Sequence, residues 1–106
     1  MQVDIHLSSR ELEPWRERIH RQLDFKIASL SDLVSRLEVS LERQFEGTSP
    51  LFTCNMQAHM PDGRIKVART GGEYPNVCIA DAAARLARSV GREVRLGTAV
   101  ASRRAG

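Results

Sequence analysis

The chain has 106 residues, of which 42% are hydrophobic and 27% are charged, a composition typical of a single globular domain. A chain of this length buries about two-thirds of its unfolded surface, so its core needs neither a metal nor a disulfide. Its longest apolar runs are far too short to span a bilayer, and its first residues do not form a signal peptide. We therefore expect a cytoplasmic protein with no membrane partner.

Positive charge is concentrated in the second part of the chain. Residues 1–60 carry 7 Lys/Arg and 9 Asp/Glu, a net charge of −2, whereas residues 61–106 carry 9 and 4, a net charge of +5. Such an uneven distribution is the electrostatic footprint of a protein that binds a polyanion. Nucleic acid fits it better than a membrane, because no helix pattern has a bulky apolar face opposite its charges.

The first part of the chain predicts a strand followed by a helix. Residues 3–7 alternate between apolar and polar side chains, as in a strand with one buried face. Pro14 suits the first turn of a helix. An apolar residue then recurs at helical spacing from Trp15, so the helix is predicted to run to about Leu30, with Trp15 as a core residue.

Two further strands and a hairpin turn are predicted next. Apolar and polar residues alternate over residues 37–42 and, most clearly, over residues 52–60. The segment between them, residues 46–50, is predicted as a loop from its composition. Pro61-Asp62-Gly63 predicts a hairpin turn, because glycine adopts a positive φ without cost.

The last part of the chain predicts a fourth strand and a second helix. Ile65 and Val67 mark the strand, which is predicted to end at Gly71-Gly72. Tyr74-Pro75-Asn76 opens the second helix, which is predicted to run to about Val94.

The order of these elements, β-α-β-β-β-α, predicts an α+β fold. Because each helix has one apolar face, both should pack on one face of a four-stranded sheet, giving a two-layer sandwich. The other sheet face, with Asn55, Gln57 and His59, is predicted to stay solvated. We expect residues 1–96 to form the domain and residues 97–106, which lack a periodic apolar face, to form a flexible tail.

Four arginines follow one line along the second helix, namely Arg85, Arg88, Arg92 and Arg95. Their spacing of 3, 4 and 3 residues makes them neighbours on the helix surface, and the apolar residues point roughly 160° away from them. Three pairs of like-charged neighbours cost an isolated helix about 1 kcal/mol. The line therefore indicates contact with an anion. The other interpretation is an ordinary solvated helix face.

The first helix carries a second, shorter basic line. Arg18, Arg21 and Phe25 are spaced i, i+3 and i+7, away from the apolar side of the helix. Two arginines and an aromatic ring can supply phosphate contacts and a stacking surface for RNA. In the alternative, which we favour for Phe25, its ring packs between the two helices and the arginines pair with Glu17 and other acids. Contact of Arg18 and Arg21 with RNA stays open.

No group of residues points to catalysis or to a bound metal. His6, His20 and His59 lie on separate predicted elements, with no cysteine or carboxylate at ligand spacing. Cys54 and Cys78 stand at apolar positions and are predicted to be reduced thiols of the core. We therefore expect a protein that is not an enzyme and that uses no metal, cofactor or small-molecule substrate.

Four short motifs follow one another along nearly the whole domain. They are Met1-Gln2-Val3-Asp4-Ile5 at the opening strand, Glu13-Pro14-Trp15-Arg16 at the first helix, the hairpin Met60-Pro61-Asp62-Gly63, and Ile79-Ala80-Asp81 followed by Ala83. In this order and at this spacing, they resemble the ribosome hibernation promoting factor / ribosome-associated inhibitor family, in its short, single-domain form.

The resemblance implies a non-enzymatic protein that binds the small ribosomal subunit. Members of the family lie in the channel for mRNA and tRNA and silence idle ribosomes under stress. Their basic helices face rRNA phosphates, which implies such contacts for the arginine line of the second helix. Two alternatives stay open. One is a diverged protein-interaction or regulatory module on the same fold, and the other is a general double-stranded RNA binder.

Overall fold

Four strands and two α-helices follow one another in the predicted order. The structure, a computed structural model, describes the backbone of residues 1–105 and the side chains of residues 1–92. The elements are β1 (Gln2–Leu7), α1 (Trp15–Lys26), β2 (Arg36–Glu46), β3 (Ser49–His59), β4 (Ile65–Gly72) and α2 (Pro75–Ala105), with 3₁₀ helices over Arg10–Leu12 and Ala28–Leu33. The predicted fold class, a two-layer α+β sandwich with two helices on a four-stranded sheet, is confirmed.

The sheet has the strand order β1-β2-β3-β4. β1 and β2 are parallel, because the chain crosses between them through α1. β2, β3 and β4 are antiparallel neighbours joined by tight turns, so they form a meander. β2 and β3 are longer than their outer neighbours, and their paired ends over Arg43–Leu51 project as a two-stranded hairpin.

The core lies between the two helices and one face of the sheet. Alternate side chains of β2 and β3 point into it, and the apolar sides of α1 and α2 cover them. Trp15, predicted as a core residue, packs against this cluster from its edge and is only partly buried. The fully buried side chains of the core include Ile19, Leu37, Val39, Leu41, Cys54, Met56, Ile79, Leu86 and Val90.

The opposite face of the sheet is not covered by either helix. Asn55, Gln57 and His59 lie on it, as predicted, and each is half-buried between its strand neighbours. Ile65 and Val67 of β4 also lie on this open face and are exposed. The buried residues of β4 are instead Ala68 and Thr70.

The first helix is shorter than predicted. α1 ends at Lys26, not near Leu30, and the chain continues into the 3₁₀ helix over Ala28–Leu33. Ile27, between the two, is fully buried. A 3₁₀ helix places residues three apart on one side, so it continues an apolar stripe much as an α-helix does. Spacing alone therefore placed the helix end too late.

The loop predicted over residues 46–50 is a two-residue turn. β2 continues to Glu46 and β3 begins at Ser49, with Gly47 at a φ of 65° between them. Pro50 is compatible with a strand here, because β4 pairs with β3 only from Phe52 onward and proline is tolerated where a strand lacks a neighbour. The predicted hairpin turn at Gly63 is confirmed, with a φ of 91°.

Two other predicted ends also lie elsewhere. β4 includes Gly71 and Gly72, which pair with β3 and do not interrupt the strand. The backbone of α2 continues to Ala105, past the predicted end near Val94. The flexible tail over residues 97–106 stays a prediction.

Cys54 and Cys78 are free thiols of the core, as predicted. Burial raises the pKa of Cys54 from 9.0 to about 12, and the nearby Cys78 thiol adds to the shift. The unfolded chain loses the Cys54 proton near pH 9 and the folded chain only near pH 12. The stability that the buried, neutral thiol contributes is therefore fully present below about pH 9. We expect the free energy of unfolding to decrease as the pH rises from about 9 to about 12. Cys54→Ala should make this decrease smaller, which urea titrations across this pH range measure.

Thiol labelling gives an independent measurement of the same burial. Because the thiolate is the reactive form, native protein near neutral pH should react slowly at Cys54 with a thiol reagent, and urea-unfolded protein should react fast. Equal rates in the two states would contradict the prediction.

Candidate nucleic-acid interface

The start of α2 is fixed to the sheet by polar contacts. The buried hydroxyl of Thr70, on β4, donates a hydrogen bond of 2.6 Å to the carbonyl oxygen of Cys78. The Cys78 thiol lies 3.7 Å from the carbonyl oxygen of Phe52, on β3. Together with the buried side chains of Ile79 and Leu86, these contacts determine which side of α2 faces the sheet.

The described arginines of the α2 line lie on the side of the helix that faces away from the sheet. Arg85, Arg88 and Arg92 are all exposed. Within the described part of the chain, no carboxylate lies within ion-pair distance of their guanidinium groups. Asp81, four residues before Arg85 on the same helix, forms no ion pair with it. The fourth arginine, Arg95, has its side chain outside the described residues.

Five other arginines of the chain each have a carboxylate partner. Arg16 forks onto both oxygens of Glu13 at 3.0 and 3.1 Å, and this contact lowers the pKa of that carboxyl. Arg36 joins Asp4 at 2.8 Å and lowers its pKa in the same way. The other three are paired as Arg21–Glu17, Arg43–Glu11 and Arg64–Asp62. Within residues 1–92, acidic partners therefore neutralise arginines in several places but not along α2.

The two arginines of α1 are in different situations. Arg18 lies over the ring of Trp15, with its guanidinium carbon 5.6 Å from the ring centre. Arg21 pairs with Glu17 at 2.9 Å, one turn earlier, as the alternative interpretation expected. Because both side chains of this pair are mostly exposed, the pair is easily exchanged and contributes only a few tenths of a kcal/mol.

Phe25 is not packed between the helices, and the packing prediction for it is wrong. Its side chain is 82% exposed, and its only ring contact within the described residues is Lys26 Nζ, 5.6 Å from the ring centre. The inner side of α1 is filled by Ile19 and Leu23, which leaves Phe25 on the outer side with Arg18 and Arg21. The sequence spacing predicted that Phe25 lies on this line. It did not indicate whether α2 would cover this side of α1.

The structure thus brings the two basic lines onto one surface. α1 and α2 are neighbours in the helix layer, and each directs its basic line away from the core. The open face of the sheet, on the other side, has a polar groove of about 130 Å³ lined by residues that include His6, Glu38, Asn55 and Gln57. No group of three or more His, Cys, Asp or Glu within the described residues is arranged to hold a metal ion.

The comparisons with known proteins agree with this architecture. No protein-family model and no curated protein sequence matches the chain. Among solved structures, it is similar to a ribosomal subunit interface protein from Coxiella burnetii, with a TM-score of 0.72 and 12% identity over 90% of this chain and 99% of that one. The chain has the fold of that protein. The fold expected from the family resemblance is therefore confirmed.

A second solved structure with this fold is the N-terminal domain of Protein Y from Thermus thermophilus. It is similar with a TM-score of 0.61 and 21% identity, over 87% of this chain and 98% of that one.

Across the residues that the structure describes, neither helix is both long and apolar enough to pass through a bilayer.

Proposed function

We propose that this protein binds the small ribosomal subunit by contact between the basic helix layer and rRNA. The observation that carries the proposal is the line of Arg85, Arg88 and Arg92, which is exposed and has no acidic partner within residues 1–92. The fold shared with a ribosomal subunit interface protein supports the ribosome as the partner. The protein acts in the cytoplasm as a binding protein, not as an enzyme.

In this proposal, the arginines of α2 neutralise phosphates of the rRNA. Guanidinium groups on successive turns of one helix match a row of phosphates, and such contacts give affinity and position without reading base sequence. Arg95 continues the same line in the sequence, and Arg18 and Arg21 extend the basic surface onto α1. The shape of the folded rRNA then selects the site.

Occupation of the subunit explains how binding regulates translation. A protein held in the channel for mRNA and tRNA excludes both, so we propose that it silences or protects idle ribosomes under stress. Polysome profiles of stationary-phase cells should then place the tagged protein with ribosomal particles that carry no mRNA.

The salt dependence of binding tests the electrostatic mechanism. Each phosphate contact releases counterions, so the four arginines of α2 alone should contribute a slope of roughly −3 to −4 in log affinity against log salt concentration, and contacts of Arg18 and Arg21 should make it steeper. Co-sedimentation with purified small subunits at several salt concentrations measures this slope. A flat response would contradict the proposal, and binding to a plain RNA duplex as tight as to subunits would favour a general double-stranded RNA binder.

A further inference from the structure

Phe25 presents an aromatic ring to solvent within the basic surface of α1. At 82%, its exposure is the highest among the large hydrophobic residues that the structure describes. Ile19 and Leu23 already supply the buried side of α1. Packing of the helix against the core therefore gives no reason for an aromatic residue at this position.

Cationic groups lie on both sides of this ring. Lys26 Nζ is 5.6 Å from the ring centre. Arg21 and Arg18 precede Phe25 by four and seven residues, so they lie about 6 Å and about 10.5 Å from it along the helix axis, on the same side. The carboxylate of Glu17 holds Arg21 only through an exposed contact, so a phosphate can replace it.

We propose that Phe25 stacks on an unpaired RNA base while Arg21 and Arg18 contact phosphates of the same strand. This inference rests on the proposed function and names the RNA feature that the α1 side of the surface binds. Every base offers a π face, so stacking on an aromatic side chain is tolerant of sequence. The base must come from a loop, bulge or strand end, because bases within a duplex are stacked on one another.

Charge complementarity favours RNA over other occupants of this surface. A second copy of the chain would bring its own Arg18, Arg21 and Lys26 against the same cations. A lipid surface requires a broad apolar side on the helix, whereas Phe25 is the one large apolar residue on the outer side of α1 within the described chain. A nucleotide combines a flat apolar base with an anionic phosphate, which is the pattern that Phe25 and the arginines complement.

Substitutions of Phe25 in the full chain test the proposal with two probes. The probes are purified small ribosomal subunits and a short RNA oligonucleotide without base pairing. We expect Phe25→Ala to weaken binding to both by about tenfold, and Phe25→Trp to preserve it. Phe25→Leu keeps an apolar side chain but loses the ring, so it should bind as weakly as Phe25→Ala.

The salt slope separates stacking from charge effects. None of these variants removes a charge, so each should keep the slope of the unmodified protein while its affinity changes. Phe45→Ala is the matched control, since Phe45 is 63% exposed and has Arg43 over its ring at 5.3 Å, but lies on the projecting hairpin. Its affinity for both probes should be unchanged.

The possible results separate this inference from the proposed function. Unchanged affinity of Phe25→Ala for both probes overturns the stacking, and so does tight binding by Phe25→Leu or an equal loss in Phe45→Ala. If the unmodified protein binds the oligonucleotide but not the subunits, the proposed function is overturned. The effect of the Phe25 variants on oligonucleotide binding then tests the stacking by itself. If it binds neither probe, both are overturned.

Discussion

Leu86→Ala is expected to lower the free energy of unfolding by about 2–5 kcal/mol. Leu86 is fully buried where α2 meets the sheet, whereas its neighbours Arg85 and Arg88 are exposed. Removing its side chain loses the transfer free energy of the buried carbons and leaves a cavity that the surrounding structure fills only in part. Because domains of this size are stable by only about 5–15 kcal/mol, this single change removes a large fraction of the total.

Urea unfolding of the variant measures this effect. The midpoint should move to lower denaturant with little change in the m-value, since the surface exposed on unfolding is nearly the same. Val77→Ala is the control on the same helix, because Val77 is 50% exposed, and its effect should stay within about 0.5 kcal/mol. Equal losses for the two variants would mean that α2 does not pack on the sheet as described.

The strands and their order could be predicted because a local sequence pattern determines each strand and the hairpin turn. Alternation over residues 52–60 reflects the two faces of β3, and the side chains that alternate inward, such as Cys54 and Met56, are the ones that are buried. The hairpin at Gly63 could be predicted because a positive φ strongly favours glycine. Both features follow from local sequence patterns and do not depend on contacts with the rest of the fold.

The errors in the prediction come from positions where tertiary contacts decide. A 3₁₀ helix and an α-helix give similar apolar spacing, so the end of α1 at Lys26 could not be distinguished from an end near Leu30. Composition favoured a five-residue loop before β3, but strand pairing extends to Ser49 and leaves only a two-residue turn. The burial of Phe25 depends on the angle and distance between α1 and α2, which no local pattern records.

The candidate site was only partly accessible from the sequence. The helical spacing of Arg85, Arg88 and Arg92 predicted their common side, and the structure gives them that exposure. Which arginines have acid partners could not be predicted in general, because pairs such as Arg36–Asp4 and Arg43–Glu11 join residues distant in sequence. The contrast between these paired arginines and the unpaired Arg85, Arg88 and Arg92 therefore appears only in the folded chain.

Reversing the charge of Arg88 and Arg92 together should weaken binding to small ribosomal subunits roughly a hundredfold or more. Each guanidinium–phosphate contact is a charge-assisted hydrogen bond of about 1.5–3 kcal/mol, and a glutamate in its place adds repulsion. Both side chains are exposed, so Arg88→Glu/Arg92→Glu should fold normally, which circular dichroism and urea unfolding can verify. Co-sedimentation at constant salt measures the loss, and the salt slope should become shallower by about two.

Arg69 offers a control for the location of the charge as well as for its sign. It is exposed and, within the described residues, has no ion pair, but it lies beside Asn55 on the open face of the sheet. Arg69→Glu changes the net charge by the same −2 as Arg88→Glu, so long-range electrostatics affects both variants similarly. If binding depends on contact with the helix layer, Arg88→Glu loses much more affinity than Arg69→Glu. Equal losses would indicate attraction by net charge alone, and unchanged binding of both would favour a protein-interaction module on this fold.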